Sequence, residues 1–164
     1  MLTIRLATLE DYPRIDELFD DARSYMASIG NTTQWTNGFP DSSCLDEALS
    51  KNEAFVCCKD DLVVGVFVVS PYEPAYHQLD GQWSADRDYA VIHRLATAPG
   101  YGAGQFIFRH VMDQHDYVRV DTHRANKPMI HIMEKLGFKY IGVVMYDRPG
   151  GDGERVCYDW MRSK

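Results

Sequence analysis

One uninterrupted apolar run limits the folds open to this chain more than any other feature. Residues 62–69 read Leu-Val-Val-Gly-Val-Phe-Val-Val, with no polar side chain at either the odd or the even positions. A strand that is apolar on both faces belongs in the middle of a sheet that is covered on both sides. The run is also far shorter than the roughly 20 residues that span a bilayer. We therefore expect a layered protein built around a central strand.

Turn residues and hydrophobic periodicity on either side of this run predict the remaining elements. The chain has 164 residues, which is enough for one sizeable core but short for two. No repeat or linker interrupts it, so residues 1–164 are expected to form a single α/β domain. In chain order we predict a strand at 2–7, a helix at 9–28, a short helix at 42–52, a hairpin at 54–59 and 62–70, a strand at 88–97, a helix at 102–114, a strand at 117–121, a helix at 126–136 and two last strands at 138–146 and 154–161.

The charge balance and the cysteines and histidines exclude several functions. Seventeen basic and 24 acidic residues give a formal net charge of −7, which argues against a nucleic-acid surface. The four cysteines form no Cys-x-x-Cys pair and the histidines show no metal-ligand spacing, so we predict reduced thiols and no metal. The first residues do not resemble a signal peptide. The expectation is a soluble cytoplasmic protein without a membrane or nucleic-acid partner.

A glycine-rich segment follows the strand predicted at 88–97. Gly100, Gly102 and Gly104 lie where that strand turns into the next helix. Free backbone amides and the helix dipole at such a junction suit a pyrophosphate, and glycine lets the backbone approach the phosphates closely. Glycines at strand-to-helix turns also serve purely conformational needs. The spacing alone therefore leaves both interpretations open.

Two segments together resemble the GNAT superfamily of N-acetyltransferases. Residues 92–104, Ile-His-Arg-Leu-Ala-Thr-Ala-Pro-Gly-Tyr-Gly-Ala-Gly, are similar to its R/Q-x-x-G-x-G/A loop. Residues 126–138, ending Met-Glu-Lys-Leu-Gly-Phe, are similar to the helix and strand that carry its N-(x)n-E-K-x-G-F pattern. The predicted order of elements also agrees with that family. The resemblance implies an α/β fold of the α+β kind, with a twisted, mostly antiparallel sheet, parallel fourth and fifth strands that splay apart, and helices on both faces.

The resemblance also implies acetyl-CoA as the cofactor, with coenzyme A as the product. In that family the pantetheine arm pairs with the backbone of the splayed fourth strand, and the amides of the glycine loop hold the pyrophosphate. Asn126 matches an asparagine that often touches the cofactor, although a helix N-cap explains it equally well. By this resemblance the candidate cofactor-binding residues are Leu95, Ala96, Thr97, Tyr101, Gly102, Ala103, Gly104, Gln105, Asn126 and Lys127.

Two positions depart from the family pattern. Pro99 stands where the loop of the family opens with arginine or glutamine, and the connection from the strand to the glycines is short, so one phosphate contact is missing. Met133 stands where the family frequently has a tyrosine that protonates the departing thiolate, and methionine has no proton to donate. Tyr140 and Tyr146 are the remaining candidates for the general acid.

His93 is the candidate general base, because an unperturbed imidazole titrates at about 6.5. Strand parity puts it on the same face as Leu95 and Thr97, and so beside a row that pairs with the cofactor. A half-buried histidine bonded to backbone is an equally good interpretation. Direct attack with water carrying the proton away needs no base.

Two aromatic segments are candidates for the acceptor pocket. Trp35 and Phe39 fall between the first two helices, where the GNAT fold commonly builds its substrate wall, and Trp83 and Tyr89 precede the splayed strand. Aromatic rings there could surround a cationic amine, or they could simply pack on the core.

The predicted function is transfer of an acetyl group from acetyl-CoA to a primary amine of a small molecule, by direct attack in a ternary complex. Nothing beside the cysteines suggests a covalent acetyl-enzyme. Two alternatives stay open: a non-catalytic module of the same fold that binds acyl-CoA, and an enzyme that acetylates a protein N-terminus or lysine. A homodimer is expected only because many members of the family form one.

Overall fold

The apolar run at 62–69 forms a strand deep inside a large sheet, as predicted. The computed structural model describes residues 1–32, 34–35, 40–146 and 152–163. The strands are β1 (Leu2–Leu6), β2 (Ala54–Lys59), β3 (Leu62–Ser70), β4 (Asp80–Gly81), β5 (Ala90–Thr97), β6 (Tyr117–Thr122), β7 (Lys139–Met145) and β8 (Glu154–Met161), and the helices are α1 (Tyr12–Ser28), α2 (Asp46–Ser50), α3 (Ala103–Gln114) and α4 (Lys127–Lys135), with short 3₁₀ helices at Leu9–Asp11, Ser42–Leu45 and Pro74–Gln78.

All eight strands belong to one sheet in the order β1-β2-β3-β5-β6-β8-β7-β4. Every neighbouring pair is antiparallel except β5 and β6, which are parallel. Strand β8 lies between β6 and β7, although β7 precedes it in the chain. The mostly antiparallel sheet predicted by the family resemblance is confirmed.

Strands β5 and β6 pair only where they begin. Their register contains two pairs, Ala90 with Val118 and Val91 with Arg119, and beyond these the two strands separate. This confirms the predicted splay of two parallel strands. The prediction numbered them fourth and fifth, whereas they are β5 and β6 because the two-residue β4 precedes them.

The short β4 was missed because its segment has no hydrophobic periodicity. It pairs with the middle of β7, where Gly81 meets Gly142. A Cβ at residue 81 would lie 2.1 Å from the carbonyl oxygen of Ile141. Two glycines are therefore required for the backbones to approach this closely.

Helices cover both faces of the sheet, also as predicted. On one face α3 and α4 pack their buried Ile107, Phe108 and Met133 against β5, β6 and β8. On the other face α1 packs Ile15, Leu18 and Phe19 against β2 and β3. Within the described part of the chain, no helix is long and apolar enough to cross a membrane.

Candidate functional site

A cavity of about 720 Å³ is lined by residues of both splayed strands, β5 and β6. Residues of β5 and of the carboxyl end of β6 line it from the sheet, and residues 71–74 after β3, with Gln34 and Trp35 after α1, also line it. A volume of this size is typical of small-molecule sites. Its walls include Gln34, Trp35, Cys44, Tyr72, Glu73, His93, Arg94, Asp121, Tyr146 and Arg155.

A bulge in β5 decides which side chains face this cavity. Val66 of β3 pairs with Ala96 and Val68 pairs with His93, so Arg94 and Leu95 together oppose the single residue between them. Arg94 has a φ of 55°, a left-handed conformation that is uncommon for a residue with a side chain. After the extra residue, the side chains of β5 point to the opposite faces from those that strict alternation would give.

The prediction that His93 shares a face with Leu95 and Thr97 is therefore wrong. Leu95 packs with the core on the α3 and α4 face, and the methyl group of Thr97 lies near Ile107 of α3 on that face. His93 and Arg94 instead line the cavity on the opposite face. Strand parity fails here because it assumes one residue per pleat, and the bulge adds one.

His93 lies beside the carboxylate of Glu73. Its Nε2 is 3.5 Å from Glu73 Oε1, and the two side chains are 24% and 18% exposed. Burial lowers the pKa of His93, whereas the carboxylates of Asp121 and Glu73 raise it and Arg94 lowers it. Because burial is the largest of these effects, the imidazole is held in its neutral form, in which it can accept a proton.

Asp121 connects two tyrosines at the base of the cavity. Its Oδ2 accepts hydrogen bonds from the hydroxyl groups of Tyr76 at 2.7 Å and Tyr146 at 2.8 Å. Burial, with the nearby Asp121 carboxylate, holds the pKa of Tyr146 far above its usual value. Since Tyr146 gives its only proton to Asp121, it offers the cavity the lone pairs of its oxygen and no proton.

The amino end of α3 follows β5 and provides free backbone amides. Gly102 is its N-cap with a φ of 68°, and no side chain caps the helix. A Cβ at Gly100 or Gly102 would meet no atom within 4 Å, so both lie beside open space. The amides of Ala103, Gly104 and Gln105 belong to the first turn, which has no acceptors of its own. This end of the helix can accept a phosphate.

Gly104 differs from the other two glycines of the loop. A Cβ at this position would lie 3.2 Å from Cδ1 of Ile132 in α4. Gly104 therefore faces the side-chain tip of Ile132 in α4, whereas Gly102 serves the turn. Tyr101, next to them, is 39% exposed.

Asn126 is a structural cap. Its Oδ1 accepts from the backbone N–H of Met129 at 3.4 Å, and its Nδ2 donates to Thr122 Oγ1 at 3.1 Å. Gln34 donates to the same Thr122 oxygen at 3.4 Å, so the carboxyl end of β6 links the loop after α1 to the start of α4. A contact of Asn126 with a cofactor stays a prediction. The neighbouring Lys127 is exposed and lines a second, shallower cavity.

Trp83 and Tyr89 surround a cation, but the cation belongs to the protein. The guanidinium of Arg119 lies 4.2 Å from the ring centroid of Trp83 and 4.1 Å from that of Tyr89. The indole N–H of Trp83 donates to the carbonyl of Tyr76 at 3.0 Å. Neither Trp83 nor Tyr89 lines the cavity, so the structure does not bring them to the predicted acceptor pocket.

The remaining candidates divide between two places. Trp35 lines the cavity and packs its ring edge against Phe19, with centroids 5.7 Å apart. Phe39 lies outside the described residues. Tyr140 is 54% exposed and lines the second cavity, whereas His93 and Tyr146 line the first, so the structure does not bring Tyr140 to them. Met133 is fully buried in the core.

Sequence reasoning missed Glu73, Arg94 and Asp121. Two signals could have suggested them: Asp121 is the acidic residue near the carboxyl end of a strand that borders the splay, and Glu73 immediately precedes Pro74, as helix caps often do. The place of Arg94 in the cavity wall could not be predicted, because the direction of its side chain depends on the bulge in β5. Among the described residues, no group of three or more histidines, cysteines or acidic residues is arranged to hold a metal ion.

These features fit acetyl-CoA. The edge of β5 that faces the gap has lost its strand partner beyond Val91, so its backbone is free to pair with an amide-containing arm. The uncapped amino end of α3 lies after the same strand, beside open space at Gly100 and Gly102. A linear molecule with amides at one end and phosphates at the other matches this arrangement.

Comparison with known proteins agrees with this geometry. The sequence matches the family model described as acetyltransferase (GNAT) domain over residues 1–139. A search of curated proteins finds no match. Among solved structures, the chain is similar to a GNAT-family acetyltransferase of Streptococcus agalactiae, with 28% identity over 99% of this chain and 96% of that one and a TM-score of 0.87.

Two further structures share the fold at lower identity. The ribosomal-protein-alanine N-acetyltransferase of Brucella melitensis is 16% identical over 98% of this chain and 99% of that one, with a TM-score of 0.66. The acetyltransferase yncA of Salmonella typhimurium, solved with its cofactor acetyl-CoA, is 16% identical over 98% and 93%, with a TM-score of 0.62. Since the family model covers most of the chain, this protein belongs to the GNAT acetyltransferase family.

Proposed function

We propose that this protein transfers an acetyl group from acetyl-CoA to a primary amine of a small molecule, by direct attack in a ternary complex. The observation that carries the proposal is the cavity of about 720 Å³, because it is lined by His93 of β5 and Asp121 of β6, the two strands that splay apart. The amine would thus lie next to the strand edge at which the cofactor would pair.

The cofactor would be held mainly by backbone groups. The free edge of β5 at Leu95, Ala96 and Thr97 would pair with the pantetheine arm, and the first-turn amides of α3 would meet the pyrophosphate. When bound, acetyl-CoA supplies the thioester carbonyl that an amine attacks. Backbone N–H groups at the edge of β5 would donate to the charge that develops on the carbonyl oxygen.

The cavity suits a small amine better than a polypeptide. Trp35 and Tyr72 provide apolar and aromatic walls, and the loop after α1 is tied to β6 by the hydrogen bond between Gln34 and Thr122. The oxygens of Glu73, Asp121 and Tyr146 are acceptors, which is the property that an ammonium group requires.

His93 would take the proton of the amine. Its pKa is lowered by burial, so the imidazole is neutral near pH 7 and able to act as a base. Tyr146 would orient the amine as a hydrogen-bond acceptor, because its own proton is donated to Asp121 at 2.8 Å. Its raised pKa also makes proton transfer to a departing thiolate unfavourable.

The cysteines favour direct attack over a covalent acetyl-enzyme. Burial raises the pKa of Cys57 to about 11 and raises that of Cys157 further. Cys44, which lines the cavity, also has its pKa raised by burial. A thiol that stays protonated is a poor nucleophile.

Calorimetric titration with acetyl-CoA, followed in the same sample by measurement of thiol release with polyamines, amino acids and aminoglycosides, tests the proposal. We expect binding and release of thiol with at least one amine. Binding without release would support a non-catalytic acyl-CoA module, and turnover confined to peptides would support a protein acetyltransferase. If acetyl-CoA does not bind, the proposed acetyl transfer is contradicted.

A further inference from the structure

Glu73 lines the cavity beside His93. It lies between β3 and the 3₁₀ helix Pro74–Gln78, for which it is the N-cap. Its Oε2 accepts from the backbone N–H of Ala75 at 3.0 Å, and its own backbone N–H donates to the hydroxyl of Tyr89 at 3.3 Å. The carboxylate is thus fixed by the amide of Ala75, and the backbone of Glu73 is fixed by Tyr89.

This fixation leaves one carboxylate oxygen for His93. Glu73 Oε1 lies 3.5 Å from His93 Nε2, and both side chains are largely withdrawn from solvent. At this separation a neutral imidazole gains little from the carboxylate, whereas an imidazolium forms a charge-assisted contact with it. The Glu73 carboxylate therefore stabilises the protonated form of His93 more than the neutral form.

Other charged groups also face the imidazole. Asp121 at the end of β6 adds a second negative charge, and Arg94 on β5 adds a positive one. Tyr146 and the Arg155 guanidinium line the same cavity. Of these groups, Glu73 has a carboxylate oxygen within ion-pair distance of the ring nitrogen. The substitution Glu73→Gln removes this charge but keeps a carbonyl oxygen that can still cap the 3₁₀ helix.

We propose that Glu73 is the positioning residue for His93: it fixes Nε2 on the carboxylate side, which leaves Nδ1 of the ring to take the amine proton, and it stabilises the imidazolium that results. The proposal rests on the proposed acetyl transfer. An alkylammonium loses one proton to His93; its nitrogen then forms the C–N bond as the C–S bond breaks, and the thiolate leaves with the second amine proton as a thiol. His93 returns its proton to solvent.

The first test needs no substrate. The imidazole of His93 is titrated by NMR in the folded chain, with its signal identified by its loss in His93→Gln. We expect Glu73→Gln to lower the pKa of His93, because a stabilising negative charge is removed while the cap to Ala75 is kept. Glu17→Gln, which alters an exposed carboxylate on α1, is the matched control and should leave that pKa unchanged. An unchanged pKa in folded Glu73→Gln would overturn the proposal.

The second test uses turnover with an amine found in the panel. For Glu73→Gln we expect kcat to fall about tenfold, less than the roughly hundredfold or more that a positioned base contributes, with little change in KM for the amine. The rising limb of the pH profile should also move to lower pH, following His93. A uniform loss with an unmoved limb would mean a merely structural role and would contradict the proposal.

The two tests separate this proposal from the function on which it rests. If neither acetyl-CoA binding nor turnover is found but the NMR shift occurs, the pairing of Glu73 with His93 stands and the proposed reaction fails. If turnover occurs and the pKa of His93 does not respond to Glu73→Gln, the reaction stands and the role of Glu73 fails.

Discussion

Single residues with unusual backbone conformations shape this site. Arg94 turns through a left-handed conformation at the bulge of β5, and this places His93 in the cavity. Gly102 adopts a left-handed conformation at the start of α3, beside the open space that would receive a phosphate. The conformation of Arg94 thus affects where a side chain lies in the site, and that of Gly102 affects where backbone amides lie. Such residues concentrate at functional sites because the surrounding fold can maintain them.

Gly102 should be the more sensitive of two neighbouring glycines. We expect Gly102→Ala to lower the free energy of unfolding by about 1 kcal/mol, because a side chain at a φ of 68° is strained although space is available. Gly104→Ala is the matched control: it gains helix propensity and meets only the flexible tip of Ile132. Urea unfolding of the two variants checks this, and equal losses would contradict the assignment of strain to Gly102.

At the scale of elements, local chemistry determines where the first helix begins. Asp11 accepts from the backbone N–H of Thr8 at 2.8 Å and pairs with both terminal nitrogens of Arg5 at 2.8 Å. It thus connects β1 to the turn that starts the helical region. Thr8 and Asp11 form a capping box here, and α1 itself starts at Tyr12, with Pro13 in its first turn.

Removing this connection should destabilise the protein without touching the cavity. We expect Asp11→Ala to lower the free energy of unfolding by about 1–2 kcal/mol, as loss of a helix cap and a charged hydrogen bond does. Asp11→Asn, which keeps an acceptor for Thr8, should lose less. Because Arg5 holds the pKa of Asp11 below its usual value, the difference between wild type and Asp11→Asn should vanish as the pH falls through that lowered pKa. A difference that persists at low pH would contradict the ion pair.

At the scale of the whole molecule, partly buried imidazoles should make stability depend on pH. Burial lowers the pKa of His93 and of His110 from 6.5, so below that value the unfolded chain binds more protons than the folded one. The free energy of unfolding should therefore fall as the pH decreases below about 6.5 and stay level above it. Carboxylates with lowered pKa values, such as Asp11, act only at a lower pH.

Chemical denaturation as a function of pH checks this dependence. The variant His93→Gln, combined with His110→Gln, should flatten the slope between about pH 5 and 6.5, where the carboxylates are still ionised. Replacement of the exposed His131 serves as the control and should leave the slope in place. A slope that survives in the double variant would show that other groups cause it.

Sequence alone determined the elements other than β4, the family and the candidate cofactor loop. The run at 62–69, the amphipathic helices and the glycines before α3 act through neighbours in the chain, so their patterns can be recognised without knowing the fold. The position of His93 in a strand beside the glycine loop was found for the same reason. The pairing of Gly81 with Gly142 was not, because it joins residues far apart in sequence.

The tertiary structure decided which side chains meet. The bulge at Arg94 separates His93 from Leu95 and Thr97, and it brings His93 to Glu73 and Asp121, which come from two other parts of the chain. Trp83 and Tyr89 had the composition of a cation site, but Arg119 occupies the space between them. The residue type determines what a side chain is able to bind. The partner that it contacts is determined by packing between segments that are distant in the sequence, and the sequence pattern does not show this packing.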